Sequence, residues 1–158
     1  MGDKSKIEWT NASWNPITGC TKVSAGCLNC YAEKLSLRLQ KMNPEGKYKN
    51  GFKVTLHEKD LEIPLRWTKP RKIFVNSMSD LFHKDVPDKF IDKIWDVMKK
   101  ANHHTYQILT KRPERMVKYS YTRAIQSHIW LGTSIEDERV KDRIKHLQNT
   151  NTKIRFIS

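Results

Sequence analysis

The hydrophobic positions along this chain change period repeatedly. A weak apolar run at residues 15–19 is followed by a stretch, 31–42, in which Leu35, Leu39 and Met42 recur at helical spacing. Residues 43–51 carry Pro44, Gly46 and Gly51 and read as a surface loop. At 52–57 the period becomes two, with Phe52, Val54 and Leu56 alternating with polar residues, which predicts a strand. A short helix is expected over 61–67. The strongest strand signal is 72–77, where Ile73-Phe74-Val75 forms the continuous apolar run of a strand buried on both faces.

Pro87 then opens a helix whose apolar stripe is Phe90, Ile91, Ile94, Trp95, Met98 and Ala101. A strand at 105–109, a helix opened by Pro113, and a strand at 129–131 ended by Gly132 follow. Glu136, Asp137 and Glu138 fit a first helical turn, where the helix dipole favours acids, and Val140, Ile144 and Leu147 give that helix its buried face. The last strand is expected at 153–157, with Ile154 and Phe156 on one side. Strands that alternate with helices predict repeated βαβ units: an α/β domain built as a parallel, partly open (β/α) barrel of about six strands. Residues 1–14 read as an N-terminal extension of this single domain. Because the chain stops on a strand, and a parallel edge strand is normally covered by a helix, the native protein is expected to continue beyond residue 158.

The 158 residues suffice for one well-packed core. No apolar stretch is long enough for a membrane span. The first six residues lack the apolar core of a signal peptide, and a cytoplasmic location is expected. The formal net charge of +13 favours a polyanionic partner, nucleic acid first. Two basic segments, Arg66-Lys69-Arg71-Lys72 and Lys111-Arg112-Arg115, point to an anionic substrate.

All three cysteines, Cys20, Cys27 and Cys30, fall within eleven residues, with Gly19 and Gly26 ahead of the first two. Glycines permit tight bends that bring sulfurs together, and thiolates favour zinc or an iron–sulfur cluster. A structural zinc wants a fourth ligand; His57 and His83 are nearest in sequence but lack local ligand spacing. Three thiolates without a fourth suit a [4Fe–4S] cluster with one open iron. The rival is a non-enzymatic nucleic-acid-binding protein stabilised by zinc on the cysteines and a histidine. Ligands of parallel α/β sheets collect at the carboxyl ends of the strands. There the chain offers Ser77, Ser79 and Asp80, then Thr110, Lys111 and Arg112, then Thr133 and Ser134.

The run Thr18-Gly19-Cys20-Thr21-Lys22-Val23-Ser24-Ala25-Gly26-Cys27-Leu28-Asn29-Cys30-Tyr31-Ala32-Glu33 resembles the signature of a phage- and bacterium-encoded family of unknown function treated as radical-SAM-like. Glu8-Trp9-Thr10, Trp14-Asn15-Pro16 and the segment from Asn76 to His83 resemble it too. The usual radical SAM spacing is C-x₃-C-x₂-C, whereas the first gap here holds six residues. More distantly, Ser77-Met78-Ser79-Asp80, Leu109-Thr110-Lys111 and Gly132-Thr133-Ser134-Ile135 are similar to strand ends of the spore photoproduct lyase-like branch of radical SAM enzymes. The resemblance implies a partial (β/α)6 radical-SAM-type barrel, truncated at its C-terminus. It also implies a [4Fe–4S] cluster on Cys20, Cys27 and Cys30, S-adenosyl-L-methionine (SAM) as co-substrate, an external electron donor, and a 5′-deoxyadenosyl radical as the reactive species. Ser79 and Asp80 would meet the amino or ribose end of SAM and Lys111 its carboxylate, with Ser134 assisting and Ser77 also among the SAM-binding residues. Lyases of that branch use a further cysteine for hydrogen return; here Tyr31, Tyr106, Tyr119 or a later segment would have to replace it.

Overall fold

The computed structural model describes residues 7–158. Its first strand, β1 (Ala12–Trp14), lies inside the segment expected to be an extension. The run expected to form the first strand is cut by Pro16, which has no N–H to donate to a ladder. After it, β2 (Ile17–Thr18) turns away and pairs antiparallel with β3 (Thr55–Leu56). The strand expected at 52–57 therefore shrinks to two residues and stays outside the main sheet. Gly51, at φ 60°, turns the chain just before it, and a 3₁₀ turn at Glu58–Asp60 ends it.

The remaining strands are β4 (Lys72–Val75), β5 (Thr105–Thr110), β6 (Ile129–Thr133) and β7 (Arg155–Ile157). With β1 they form a five-stranded sheet in the order β1-β4-β5-β6-β7, every pairing parallel. Five parallel strands replace the expected six, and among the described residues the sheet is open, with β1 and β7 at its edges.

Strand order rises steadily along the chain, and right-handed crossovers then put the helices that connect β4 through β7 on the same face. That face carries the core. Ala12, Trp14, Ile73, Val75, Tyr106, Ile108, Ile129 and Leu131 are buried there against α2 (Asp88–Lys100), α3 (Pro113–Tyr121) and α4 (Arg143–Gln148). The stripe predicted for α2 is buried as expected, from Phe90 to Ala101. The 61–67 helix is a single 3₁₀ turn, Ile63–Arg66.

The alternate residues point to the opposite face, away from α2, α3 and α4. Phe74, Gln107 and Trp130 stand side by side there in register. Trp9 packs on Phe74 with ring centroids 4.8 Å apart and reaches Phe156 at 6.3 Å. Gly132 makes room for Phe156, since a Cβ at that position would lie 2.6 Å from its ring.

The helix α1 (Tyr31–Met42) has the predicted bounds but not the predicted buried face. Ala32 and Ser36 are buried, whereas Leu35 is 38% and Met42 69% exposed. The helix is seated through its small side chains, and its leucine stripe faces outward. Among the described residues no helix is long and apolar enough to cross a membrane.

Candidate functional site

A cavity of about 620 Å³ opens at the carboxyl ends of β4, β5 and β6. Cys20, Cys27 and Cys30 line it, and so do Ser77, Ser79, Asp80, Lys111 and Ser134, so the topology gathers the residues expected to hold a cluster and SAM around one cavity. Trp9, Phe74 and Leu109 supply an apolar wall from the face of the sheet that the helices leave uncovered.

The cysteine loop is anchored at its start. The Gly19 N–H donates to the Met78 carbonyl (2.9 Å) and the Cys20 N–H to the Phe52 carbonyl (3.1 Å). Cys27 ends a 3₁₀ turn, Ala25–Cys27, and Cys30 is the residue that precedes α1. The three thiols share the cavity wall. Among the described residues no group of three or more His, Cys, Asp or Glu side chains is arranged to hold a metal ion. Cys20 turns instead toward Arg112, whose Nη1 donates to Sγ at 3.4 Å. Burial pushes the Cys20 thiol up, and the Arg112 charge offsets only part of this. At Cys27 burial acts in the same direction but is outweighed by the amides of Val23 and Ser24, the Ser24 hydroxyl and the Lys111 charge, so its thiol titrates below the ordinary value.

Asp80 is the structural centre of the rim. One carboxylate oxygen accepts from the Phe82 amide (3.0 Å) and the Thr110 hydroxyl (2.7 Å). The other accepts from the Lys111 amide (3.0 Å) and Arg112 Nη1 (3.0 Å). The carboxylate thus ties the end of β4 to the end of β5 with all its acceptor directions in use. Ser79 donates to the Ile17 carbonyl (3.0 Å), and Ser77 exchanges hydrogen bonds with the Asn15 side chain. Ser134 is fixed through its backbone, its amide donating to the Thr110 carbonyl and its carbonyl accepting from Arg143.

Lys111 pairs with Glu136, a residue expected in a helical turn and found bent over the rim. Glu136 also accepts from Arg143 Nη1 (2.8 Å) and the Ser24 hydroxyl (3.1 Å), which links the cysteine loop to the β6 end. Gly26 admits this contact, because a Cβ there would lie 2.3 Å from Glu136 Cγ. Burial opposes the Glu136 charge, but Lys111, Arg143 and Ser24 together hold its carboxyl below the ordinary 4.5. A carboxylate depressed in the folded state stabilises the protein at pH above its unfolded value. That contribution disappears as pH falls through the folded value. The rim lock is therefore expected to weaken only as pH falls below about 4.5, the unfolded value, toward the lower folded one. Urea midpoints of wild type and Glu136→Gln should differ at neutral pH and converge at the acid end, and an equal gap at both would contradict this.

Neither histidine joins the thiols. His57 Nε2 meets the Thr18 hydroxyl at 2.8 Å. His83 Nδ1 accepts from the Asp85 amide (3.1 Å), so its Nε2 carries the proton and donates to the Thr21 hydroxyl (2.7 Å). Of the three tyrosines considered for hydrogen return, Tyr31 lines the cavity. Tyr106 and Tyr119 lie on the helix-covered face, donating to the Ala101 carbonyl and to Asp92.

The cations at the site are paired: Lys111 with Glu136, Arg112 with Asp80, Arg115 with Asp88. Arg66, Lys69, Arg71 and Lys72 precede or open β4 and so belong to the amino-end rim, away from the thiols. Among the described residues, the cations lining the cavity, Lys22, Lys111 and Arg112, are thus each paired with a carboxylate.

A model built for proteins of unknown function, DUF5131, matches residues 4–158. The chain belongs to this family. No curated protein and no solved structure matches it. For this DUF5131 chain, sequence reasoning missed Glu136, Asn76, Asn15 and Arg143 as residues of the site. Asn76 had a readable signal: an asparagine directly after the strongest strand, a residue type that tolerates the left-handed conformation it adopts, φ 61°.

Proposed function

We propose that this chain is a radical-SAM-type protein that holds a [4Fe–4S] cluster on Cys20, Cys27 and Cys30 and binds SAM in the adjoining cavity. The observation that carries the reading is the donor set. Among the described residues lining the cavity, the three cysteines are the sole thiols, no imidazole is present, and the one acidic side chain, Asp80, is taken up by Arg112 and its neighbours. Three soft donors without a fourth fit a cluster with one open iron better than a four-coordinate zinc. To bind the irons the loop must draw its sulfurs together, and Arg112 would then donate to a bound thiolate. The open five-stranded parallel sheet is compatible with the partial (β/α)6 barrel that the sequence resemblance implies.

The cluster, when bound, would supply the electron that cleaves SAM to a 5′-deoxyadenosyl radical. The residues of the chain would do the rest. Asp80 holds the rim in register; Phe74, Leu109 and Trp9 exclude water from one side of the cavity. Lys111 is positioned to meet a ligand carboxylate, in competition with Glu136. The paired rim cations favour a small zwitterionic or neutral substrate at this site over a polyanion. The substrate itself and the electron donor are left open by this reading.

Lys111→Ala is expected to weaken SAM binding by roughly 1.5–3 kcal/mol, the loss of one charge-assisted hydrogen bond. Glu136→Gln should act in the opposite direction, since it removes the internal competitor. Calorimetry on both variants checks the pair, and two changes of the same sign would sink the assignment of Lys111. The reading as a whole is tested by anaerobic reconstitution with iron and sulfide. The expected result is a brown protein carrying about four irons per chain, which cleaves SAM on reduction. A colourless protein holding one zinc per chain, or a loaded protein inert toward SAM, would overturn it.

A further inference from the structure

The residue that closes β4 combines three unusual properties. Asn76 has φ 61°, the one positive value at a non-glycine position among the described residues. It is 2% exposed. Its Nδ2 is buried without a hydrogen-bond partner, although the side chain lines the cavity. The backbone and the orphan donor each carry a cost. A left-handed backbone is disfavoured for any L-residue, though least for asparagine and aspartate, and a buried donor without a partner gives up its bond to water for nothing.

A purely conformational role does not account for the choice of residue. Glycine adopts this backbone with no steric penalty and leaves no orphan donor. The side-chain oxygen does accept from the Ile17 amide, at a long 3.4 Å. Aspartate would supply the same acceptor, also tolerates the left-handed region, and would leave no unsatisfied N–H. What asparagine alone adds to both is an NH₂ group, left without a partner on a residue that lines the cavity. Strain and unsatisfied polar atoms of this kind gather at ligand sites, where the ligand completes the bonding.

We infer that Asn76 is a ligand-binding residue whose Nδ2 donates to a carbonyl or carboxylate oxygen of a small molecule seated against Phe74 and Leu109. A neutral donor suits this position. The neighbouring cations Lys111 and Arg112 already have carboxylate partners, so the ligand oxygen need not bring a full charge with it. The inference concerns the cavity and stands whether or not the thiols carry a cluster.

The test uses the purified chain, with and without reconstitution, and three probes: SAM, methionine and adenosine. Wild type should bind at least one of them. Asn76→Gly should keep the melting temperature of wild type, because it relieves the backbone, yet lose that affinity at least tenfold. Asn76→Asp, which keeps the bond to Ile17 but presents an oxygen where the donor was, should lose at least as much. In a ¹⁵N-labelled sample the side-chain NH₂ signal, assigned by its absence in Asn76→Asp, should move on titration with the bound probe.

Failure to bind any probe, equal affinity in either variant, or an unmoved NH₂ signal would overturn the inference. A cluster-loaded protein that binds SAM equally well without the amide would defeat this inference alone. A protein that never loads a cluster, yet binds a probe through Asn76, would defeat the radical SAM reading alone.

Discussion

Asp80→Ala is expected to destabilise the protein by about 3–5 kcal/mol, the range for removing one partner of a buried ion pair. Its side chain is 8% exposed and that of Arg112 14%. Truncation leaves the guanidinium with only the Thr21 oxygens and the Cys20 sulfur as acceptors. The Thr110 hydroxyl and the Phe82 and Lys111 amides lose their acceptor at the same time. Asn is no remedy, since half of its amide is a donor and would face donors.

A second substitution separates the charge effect from the loss of contacts. With Arg112→Met added, no unpaired charge stays buried, and much of the stability should return. Urea unfolding with linear extrapolation measures both. A loss below about 1 kcal/mol in Asp80→Ala, or no recovery in the double variant, would show that Asp80 is not the tie between β4 and β5.

Much of the scaffold was legible because its signals are local. The period of α2, the apolar run of β4 and the prolines opening α2 and α3 each require only their own neighbours, and each element formed as read. The gathering of the site was legible for a topological reason. Parallel strands point their carboxyl ends to one rim, so Asp80, Lys111 and Ser134 had to meet wherever the sheet order ran in sequence.

What failed depended on partners. The leucines of α1 have helical spacing, but spacing does not say which side meets the protein, and Ala32 and Ser36 allow the closer approach. The alternation at 52–57 is real, yet the residues opposite it are Ile17 and Thr18 rather than a strand of the main sheet. Glu136 has the look of a helix-start acid, and only the folded chain brings Lys111, Arg143 and Ser24 to it. The Cys20–Arg112 contact joins residues far apart in the chain and leaves no trace in either local pattern.

Gly19 is where local chemistry and long-range packing coincide, and Gly19→Ala should be the most damaging single-methyl change in the cysteine loop. Its φ of +84° already costs an alanine about 1–2 kcal/mol. The added Cβ would then lie 2.2 Å from the Lys53 carbonyl oxygen and 2.6 Å from that of Phe52. Both obstacles are backbone, so no rotamer change relieves them. The segment at Phe52 and Lys53 must move away, and the Cys20 amide loses its bond to the Phe52 carbonyl. The bond from the Gly19 amide to the Met78 carbonyl, which seats the loop on the β4 end, is strained in the same motion. A total loss of about 3 kcal/mol or more is expected, the size that marks a forbidden backbone combined with a clash. Because the contacts of Gly19 run to Met78, Ser79, Phe52 and Lys53, the damage should be local. Hydrogen exchange should speed up at the Gly19 and Cys20 amides and stay slow in β5 and β6. Cys20, now released from its anchor, should react faster with a bulky maleimide than it does in wild type. Unchanged stability together with an unchanged labelling rate would mean that the loop is not held through Gly19.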